Sequence, residues 1–447
     1  MSGSGAHSAA PVTHRQVWAL AGPIVLANVS VPLLGAVDTA VVGHLGEVHY
    51  IGAVAIGAML FNFIYHLFNC LRMGTTGPTA QARGAGDAAE VRMMLGRALL
   101  LAAAAGGMMV MLQGPILALA FALIDASDRV EQLAREYFLI RVWALPAVLC
   151  TYAIIGWLYG LRNVRTPLVI QLFTNGVNIV LDVIFVFGLG LGVAGAALAS
   201  VIAEYAGLAL GIYQVRRTLS DLPAGRPGAV LLDAARLRRM VAINGDIVLR
   251  TLCVVSVFAI FMAKSAELGD LPLAANQVLH LFLMFTSFGL DGFAHAAETL
   301  LGEAVGRRDA PGFLQGRRVV LLWGGIVGAG NVVVYLLFGP AMVALITSIP
   351  EVREAAVGML GWPALIPLVS VWAYLYDGIY LAATRTRIMR NTVIVAFAAY
   401  LVVTYAAMPL AGNAGLWAAV TAFLAVRGLL LHLYLPRVVR SIAADPA

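Results

Sequence analysis

The sequence predicts an all-α, polytopic membrane protein of about twelve transmembrane helices, in two six-helix lobes related by a pseudo-two-fold axis. Three observations predict it. Of 447 residues, 61% are apolar and 12% charged, against about 45–50% and about 25% in soluble domains. The mean hydropathy is +0.89. The apolar residues fall into runs of about 20 or more, the length a helix needs to cross a hydrocarbon core of about 30 Å. Several short segments recur about 220 residues further on. A soluble enzyme, a disordered chain and a secreted disulfide scaffold are excluded by composition.

A window of about 19 residues places spans near 17–42, 51–72, 97–123, 137–160, 167–190, 193–214, 243–263, 273–295, 319–345, 356–383, 391–410 and 414–435. The first run is too long for a cleavable signal peptide, carries Asp38, and leads directly into a second span. The expected organisation is a tail 1–16, an N-lobe 17–215, an inter-lobe loop 216–242, a C-lobe 243–435 and a tail 436–447. The loop holds Pro223, Gly225, Pro227 and Gly228, followed by an Arg-rich stretch.

Charge sets the orientation. Roughly 21 basic residues fall on the side of the N-terminus and 5 on the other. That bias places both termini in the cytoplasm, and an even number of spans agrees. The net charge of +6 is explained by these short loops, so no nucleic-acid partner is expected. Cys70, Cys150 and Cys253 lie inside apolar stretches and read as packing residues, with no disulfide or metal spacing.

The halves look related. Val193-Ala194-Gly195 is echoed by Asn413-Ala414-Gly415, Gly86-Asp87 by the Gly306–Asp309 segment, and Gly52-Ala53-Val54-Ala55 by Leu273-Ala274-Ala275-Asn276. Six spans per half give both halves the same orientation, and in such parallel repeats substrate sites lie between the halves.

Polar residues inside spans are costly and point inward, paired or functional. Asp38 in span 1 has no basic neighbour on its own helix. Asn175, Asn178 and Asp182 in span 5 share one face, and Ser200 follows in span 6. If spans 1 and 5 face each other, two carboxylates share a low-dielectric pocket where both cannot cheaply ionise, so one favours holding a proton. The same oxygens suit Na⁺ at Asp38, Asn178 and Asp182, and a purely structural Asp–Asn network is the alternative.

Span 8 carries Asn276, His280, Ser287, Asp291, His295 and Glu298 along one helix face, with Met284 filling the gap. Such a stripe lines a cavity or packs on polar neighbours. Asp246 and Arg250 in span 7 are four apart, which reads most simply as an intrahelical ion pair. In span 10, Asp377 is flanked by Tyr374, Tyr376 and Tyr380, a setting that could receive a lipophilic cation through charge and ring faces or close a structural hydrogen bond. Asn62, His66 and Asn69 share a face of span 2, and Glu204 in span 6 divides between helix contact and relay. No P-loop, no His-Glu-x-x-His motif and no regular run of Arg within a span occurs, which argues against an ATP-driven pump, a zinc hydrolase and a voltage sensor.

The stretches Pro32-Leu33-Leu34-Gly35-Ala36-Val37-Asp38-Thr39-Ala40, Leu71-Arg72-Met73-Gly74-Thr75-Thr76-Gly77, Arg250-Thr251-Leu252, Leu273-Ala274-Ala275-Asn276-Gln277 and Asp291-Gly292-Phe293-Ala294-His295-Ala296-Ala297-Glu298 carry a resemblance. Together they resemble the multidrug and toxic compound extrusion (MATE) family, in its DinF-like branch, over nearly the whole chain. The resemblance implies two lobes around a central cleft, alternating access, and secondary active efflux coupled to H⁺ or, in some members, Na⁺. It implies no enzyme activity and no cofactor beyond the coupling ion. It implies a cation site at Asp38, Asn178, Asp182 and Ser200, with Ser200 standing where Thr also occurs, and the adjoining Asn175 is taken with them. The expected setting is a bacterial inner membrane, the partners a small-molecule substrate and the lipid bilayer, and the state a monomer. Candidate substrate-contacting residues are Asn62, His66, Asp246, Arg250, Asn276, His280, Asp291, Tyr374 and Asp377. Rival readings are a flippase or exporter for a lipid-linked precursor or organic anion, and a membrane-embedded lipid enzyme.

Overall fold

The structure, a computed structural model, describes residues 12–43, 48–124, 126–223 and 231–444, with side chains at all of these except 29–43, 48, 187 and 443–444. Among them the chain forms sixteen α-helices: α1 (His14–Gly43), α2 (Val48–Phe68), α3 (Cys70–Gly84), α4 (Ala88–Met111), α5 (Gln113–Leu123), α6 (Asp128–Arg141), α7 (Leu145–Gly160), α8 (Arg165–Asp182), α9 (Gly192–Asp221), α10 (Ala234–Glu267), α11 (Asp270–Gly306), α12 (Ala310–Ile346), α13 (Pro350–Met359), α14 (Gly361–Ala382), α15 (Thr386–Ala411) and α16 (Asn413–Ala444). A 3₁₀ turn, Val142–Ala144, joins α6 to α7, and a π-helical segment, Val183–Gly188, follows α8. No strand occurs among the described residues.

Eleven helical stretches are long and apolar enough to cross a bilayer, and α1, at 30 residues, has the length of a twelfth. Helix makes this possible, because it satisfies its own backbone groups where no water can. Several spans are jointed. The second bends between α2 and α3 at Asn69, whose N–H still reaches the Tyr65 carbonyl at 2.9 Å. The third breaks at Leu112, ahead of Gly114-Pro115, so the predicted 97–123 run is two helices, α4 and α5. The fourth begins at Asp128 rather than 137, and the tenth is preceded by the separate α13.

Two compact units emerge, Leu26–Val248 and Met1–Val25 with Leu249–Ala447. The divisions fall inside α1 and α10 rather than in the loop 216–242. Hydrogen bonds explain where that loop belongs. Arg92 of α4 donates to the carbonyls of Leu219 and Leu222 at 2.8 and 2.7 Å, and Arg97 to that of Leu231 at 3.2 Å. Glu90 completes the tie by pairing with Arg97 at 2.8 Å and with Arg236.

Each unit has its own core. In Leu26–Val248, Phe61, Tyr137, Phe138, Val142 and Leu145 pack together, and a second cluster forms on Ile154, Trp157, Leu158 and Ile170. In the other unit, Phe261, Leu279, Phe282, Tyr335, Trp417 and Phe423 form one large cluster. Close helix crossings rely on glycine, as expected where lipid supplies no hydrophobic drive between helices. A Cβ on Gly156 would strike the Arg72 backbone carbonyl, and one on Gly378 the Ala294 carbonyl.

The backbone carries the repeat more clearly than the residues do. Gly86 (φ 71°) ends α3, and Arg308 (φ 58°) ends α11. Behind each, an Asp N–H reaches back five residues, Asp87 to Ala82 at 3.0 Å and Asp309 to Ala304 at 2.9 Å. Both are Schellman closures. Each Asp then caps the next helix, accepting from Glu90 N at 2.9 Å and from Gly312 N at 2.8 Å. Arg162 (φ 61°) and Thr384 (φ 51°) form a second matched pair, Gly192 and Gly412 (both φ 55°) a third.

Gly156→Ala tests the packing argument. Ala normally gains about 1 kcal/mol over Gly in a helix, yet the clash with Arg72 should reverse the sign and cost about 1–3 kcal/mol. Gly107→Ala, at a position with open space around it, should leave the melting temperature in detergent unchanged or raise it.

Candidate functional site

In the unit Leu26–Val248, the predicted coupling residues gather on α8 and α9. Asn175, Asn178 and Asp182 are all buried, Asp182 to 2% exposure, and Ser200 is buried on α9. Asn178 Nδ2 donates to Ser200 Oγ at 3.5 Å, which joins the two helices. Gly207 makes this approach tight, since a Cβ there would meet the Thr174 hydroxyl. Asn175 turns elsewhere and accepts from Gln171 Nε2 at 2.9 Å. Asp38 falls on α1, but its side chain lies outside the described residues.

Asp182 is the last residue of regular α-helix before the π-helical segment. There the ladder loosens: Leu189 N reaches Ile184 O at 2.9 Å and Leu191 N reaches Phe185 O at 3.0 Å. π-bulges recur at functional sites, because the wider turn re-aims side chains and strains the backbone pairing. The sequence gives no signal of this segment, whose Val-Ile-Phe-Val-Phe run reads as ordinary apolar span.

Asn62 and His66 are exposed on α2, and His66 Nδ1 lies 2.8 Å from the Asn62 carbonyl, an intrahelical bond. Their face-mate Asn69 accepts from Arg72 Nε at 2.8 Å. The face therefore divides between two exposed members and a third that Arg72 holds.

In the other unit the main ionic feature corrects an expectation. Arg250 does not pair with Asp246 along its own helix; it pairs with Asp377 of α14. Arg427 of α16 binds the same oxygen, Oδ2. The carboxylate of Asp377, held between two guanidiniums, is charge-assisted from both sides. Asp246 is buried but belongs to the unit Leu26–Val248. Asp377, for which the sequence left open a receiver for a lipophilic cation or a structural hydrogen bond, already carries two fixed cations. Arg427 was the residue missed; the signal available was a lone Arg inside an otherwise apolar span, which must find a partner.

The α11 stripe also divides. Asn276 is fully buried and saturated: it donates to Ser265 Oγ and Asn413 Oδ1, both at 2.7 Å, and accepts from Trp417 Nε1 at 2.9 Å and Asn413 Nδ2 at 3.1 Å. That is a structural knot tying α10, α11 and α16, not an open contact residue. His280 is half-buried and packs edge-on to Phe258 at 5.1 Å. Ser287 hydrogen-bonds the Tyr374 hydroxyl, and Asp291 and Tyr374 are half-buried nearby. His295 and Glu298, 3.5 Å apart, are buried, since α11 runs on to Gly306 instead of ending near 295. Among the described residues no group of three or more His, Cys, Asp or Glu side chains could hold a metal ion.

Spanning helices in two repeated units, each with ionisable groups held inside its helical core, define a multi-pass membrane transporter. The chain belongs to the MATE family: the MatE family model matches residues 23–184 and again 247–406. The double match falls on the repeat that the matched turns display. The chain is 43% identical to DNA damage-inducible protein F of Escherichia coli (strain K12), over 93% of this chain and 91% of that one. It is 27% identical to Protein DETOXIFICATION 44, chloroplastic, of Arabidopsis thaliana, over 92% of this chain and 80% of that one. The structure of Vibrio cholerae MATE transporter VcmN in the bent form superposes with a TM-score of 0.86 at 19% identity, covering 96% and 97% of the two chains. These matches show a membrane transporter and not an enzyme.

Asp377→Leu should leave Arg250 and Arg427 uncompensated. Removing one partner of a buried pair costs about 3–5 kcal/mol, so the variant should melt well below the wild type in detergent. The triple change of Asp377, Arg250 and Arg427 to Leu should recover most of that loss.

Proposed function

We propose that this protein is a secondary active antiporter that exports organic, lipophilic cationic compounds by alternating access in exchange for H⁺, with Na⁺ as the alternative coupling ion. The reading places it in a bacterial inner membrane as a monomer with both termini cytoplasmic. The observation that carries it is the buried oxygen-rich face of Asn178, Asp182 and Ser200, set beside a π-helical break in a membrane span. A buried carboxylate there holds its charge at high cost. Taking up a proton removes that cost, and ligation by carboxylate, amide and hydroxyl oxygens is the way a hard cation would remove it.

Protonation then changes the packing of α8 against α9, and the substrate site loses affinity in one conformation and regains it in the other. Inward movement of one charge supplies about 2.3 kcal/mol per 100 mV, enough for about a fiftyfold gradient of a neutral substrate; when one proton exchanges for one monovalent cation the charges cancel, and the pH gradient alone drives export.

A second reading, export of an organic anion, draws on the Asp377 cluster, where two guanidiniums share one carboxylate. An anionic group on a substrate would meet Arg250, which is half-buried rather than sealed.

Purified protein in proteoliposomes separates these. Ethidium efflux driven by an imposed proton gradient, and lost in Asp182→Asn and Asp38→Asn, is the expected result. Efflux driven only by a sodium gradient selects the alternative ion. Normal proton-driven efflux by both well-folded variants would overturn the assignment of the coupling site, and transport of an anionic dye in place of ethidium would select the second reading.

A further inference from the structure

Glu204, an acid of the same unit, stands outside the coupling cluster. Glu204 lies on α9 one turn beyond Ser200 and on the same helix face. Helices α2, α6, α7 and α8 pack against α9. From α6, the charged group facing Glu204 is Arg141. From α7 the neutral Tyr152 hydroxyl faces Glu204, and faces Tyr65 of α2 and Arg72 of α3 as well. From α8 the neutral Asn178 reaches Ser200, one turn before Glu204, and Asp182 follows one turn further along α8.

Arg141 does not close on Glu204. Its guanidinium donates to the Tyr137 hydroxyl and lies over the Phe61 ring, 5.2 Å from the centroid. Among the described residues Glu204 forms no ion pair and no hydrogen bond, and its side chain is half-buried. An acid in the middle of a spanning helix that is neither neutralised nor sealed off is a functional group by default. A structural carboxylate would be clamped, as Asp377 is.

We propose that Glu204 is a second proton-binding group of this unit, taking up and releasing a proton in each transport cycle in series with Asp182. The proton arrives on a carboxylate oxygen from water and leaves to water, with no other bond changed. As the acid, Glu204 is neutral; as the carboxylate, it is steadied by Arg141 across the gap. The inference rests on the proton-coupled reading above.

The test measures ethidium efflux from proteoliposomes across a pH series, for wild type, Asp182→Asn, Glu204→Gln and Glu204→Asp, with the melting temperature of each. Glu204→Gln should melt like the wild type, lose proton-driven efflux by about tenfold or more, and show a flat pH profile. Glu204→Asp should restore efflux with a displaced profile. Wild-type rate and profile in Glu204→Gln would overturn the proposal. So would an equal fractional loss at every pH in both Glu204 variants, the mark of a packing role. If Glu204→Gln fails to fold, the Glu204→Asp profile decides: displaced supports the proposal, undisplaced overturns it. A wild type that no proton gradient drives would sink the parent reading as well, whereas proton-driven wild type with an indifferent Glu204 sinks this one alone.

Discussion

Everything in this molecule answers to one constraint: inside a bilayer, a polar group must find its partner within the protein. Backbone groups do so by forming helix. Side chains do so by local bonds where a hydroxyl can reach back one turn, as Thr75 does to Leu71 O at 2.6 Å and Thr286 to Phe282 O at 3.0 Å. Charges need more. Asp377 takes Arg250 and Arg427 together, and Asn276 spends its whole amide on three neighbours. These knots tie helices far apart in sequence, which loops could not do alone.

The repeat shows what duplication preserved and what it released. Turn geometry was kept: a residue at positive φ, a five-residue closure and an Asp cap recur in both halves, although Gly86 is matched by an Arg. The polar interior diverged. The offset that relates Gly86 to Arg308 and Arg162 to Thr384 carries Asn178 and Asp182 onto Tyr400 and Thr404, neutral residues with no carboxylate. The acid face on α8 therefore belongs to one half alone, and the guanidinium-rich knot around Asp377 to the other. Turns tolerate few substitutions because backbone geometry specifies them, whereas any buried polar set that is internally satisfied is allowed.

Packing follows the same logic. With lipid tails as apolar as Leu, helices approach through small residues and gain dispersion and hydrogen bonds in place of hydrophobic burial. Gly156 against Arg72 O, Gly207 against Thr174 and Gly378 against Ala294 O are such approaches. The Gly207 contact matters for the candidate site, since it draws α9 close enough for Ser200 to meet Asn178.

The sequence by itself determined the helical class, the number of spans to within their joints, the repeat, and the α8 face of Asn175, Asn178 and Asp182. Hydropathy and a period of 3.6 residues are local properties, readable along a single chain. Tertiary structure decided the rest. Arg250 looked toward Asp246 because they are neighbours on one helix, yet Asp377, on α14, offered a carboxylate already shared with Arg427. Asn276 looked like part of an open stripe until Ser265, Asn413 and Trp417 closed on it. The break at 183–188 left no mark in an apolar run. Which partner a buried polar group takes depends on which helices lie beside it, and helix adjacency is set by packing across the whole unit rather than by spacing along the chain.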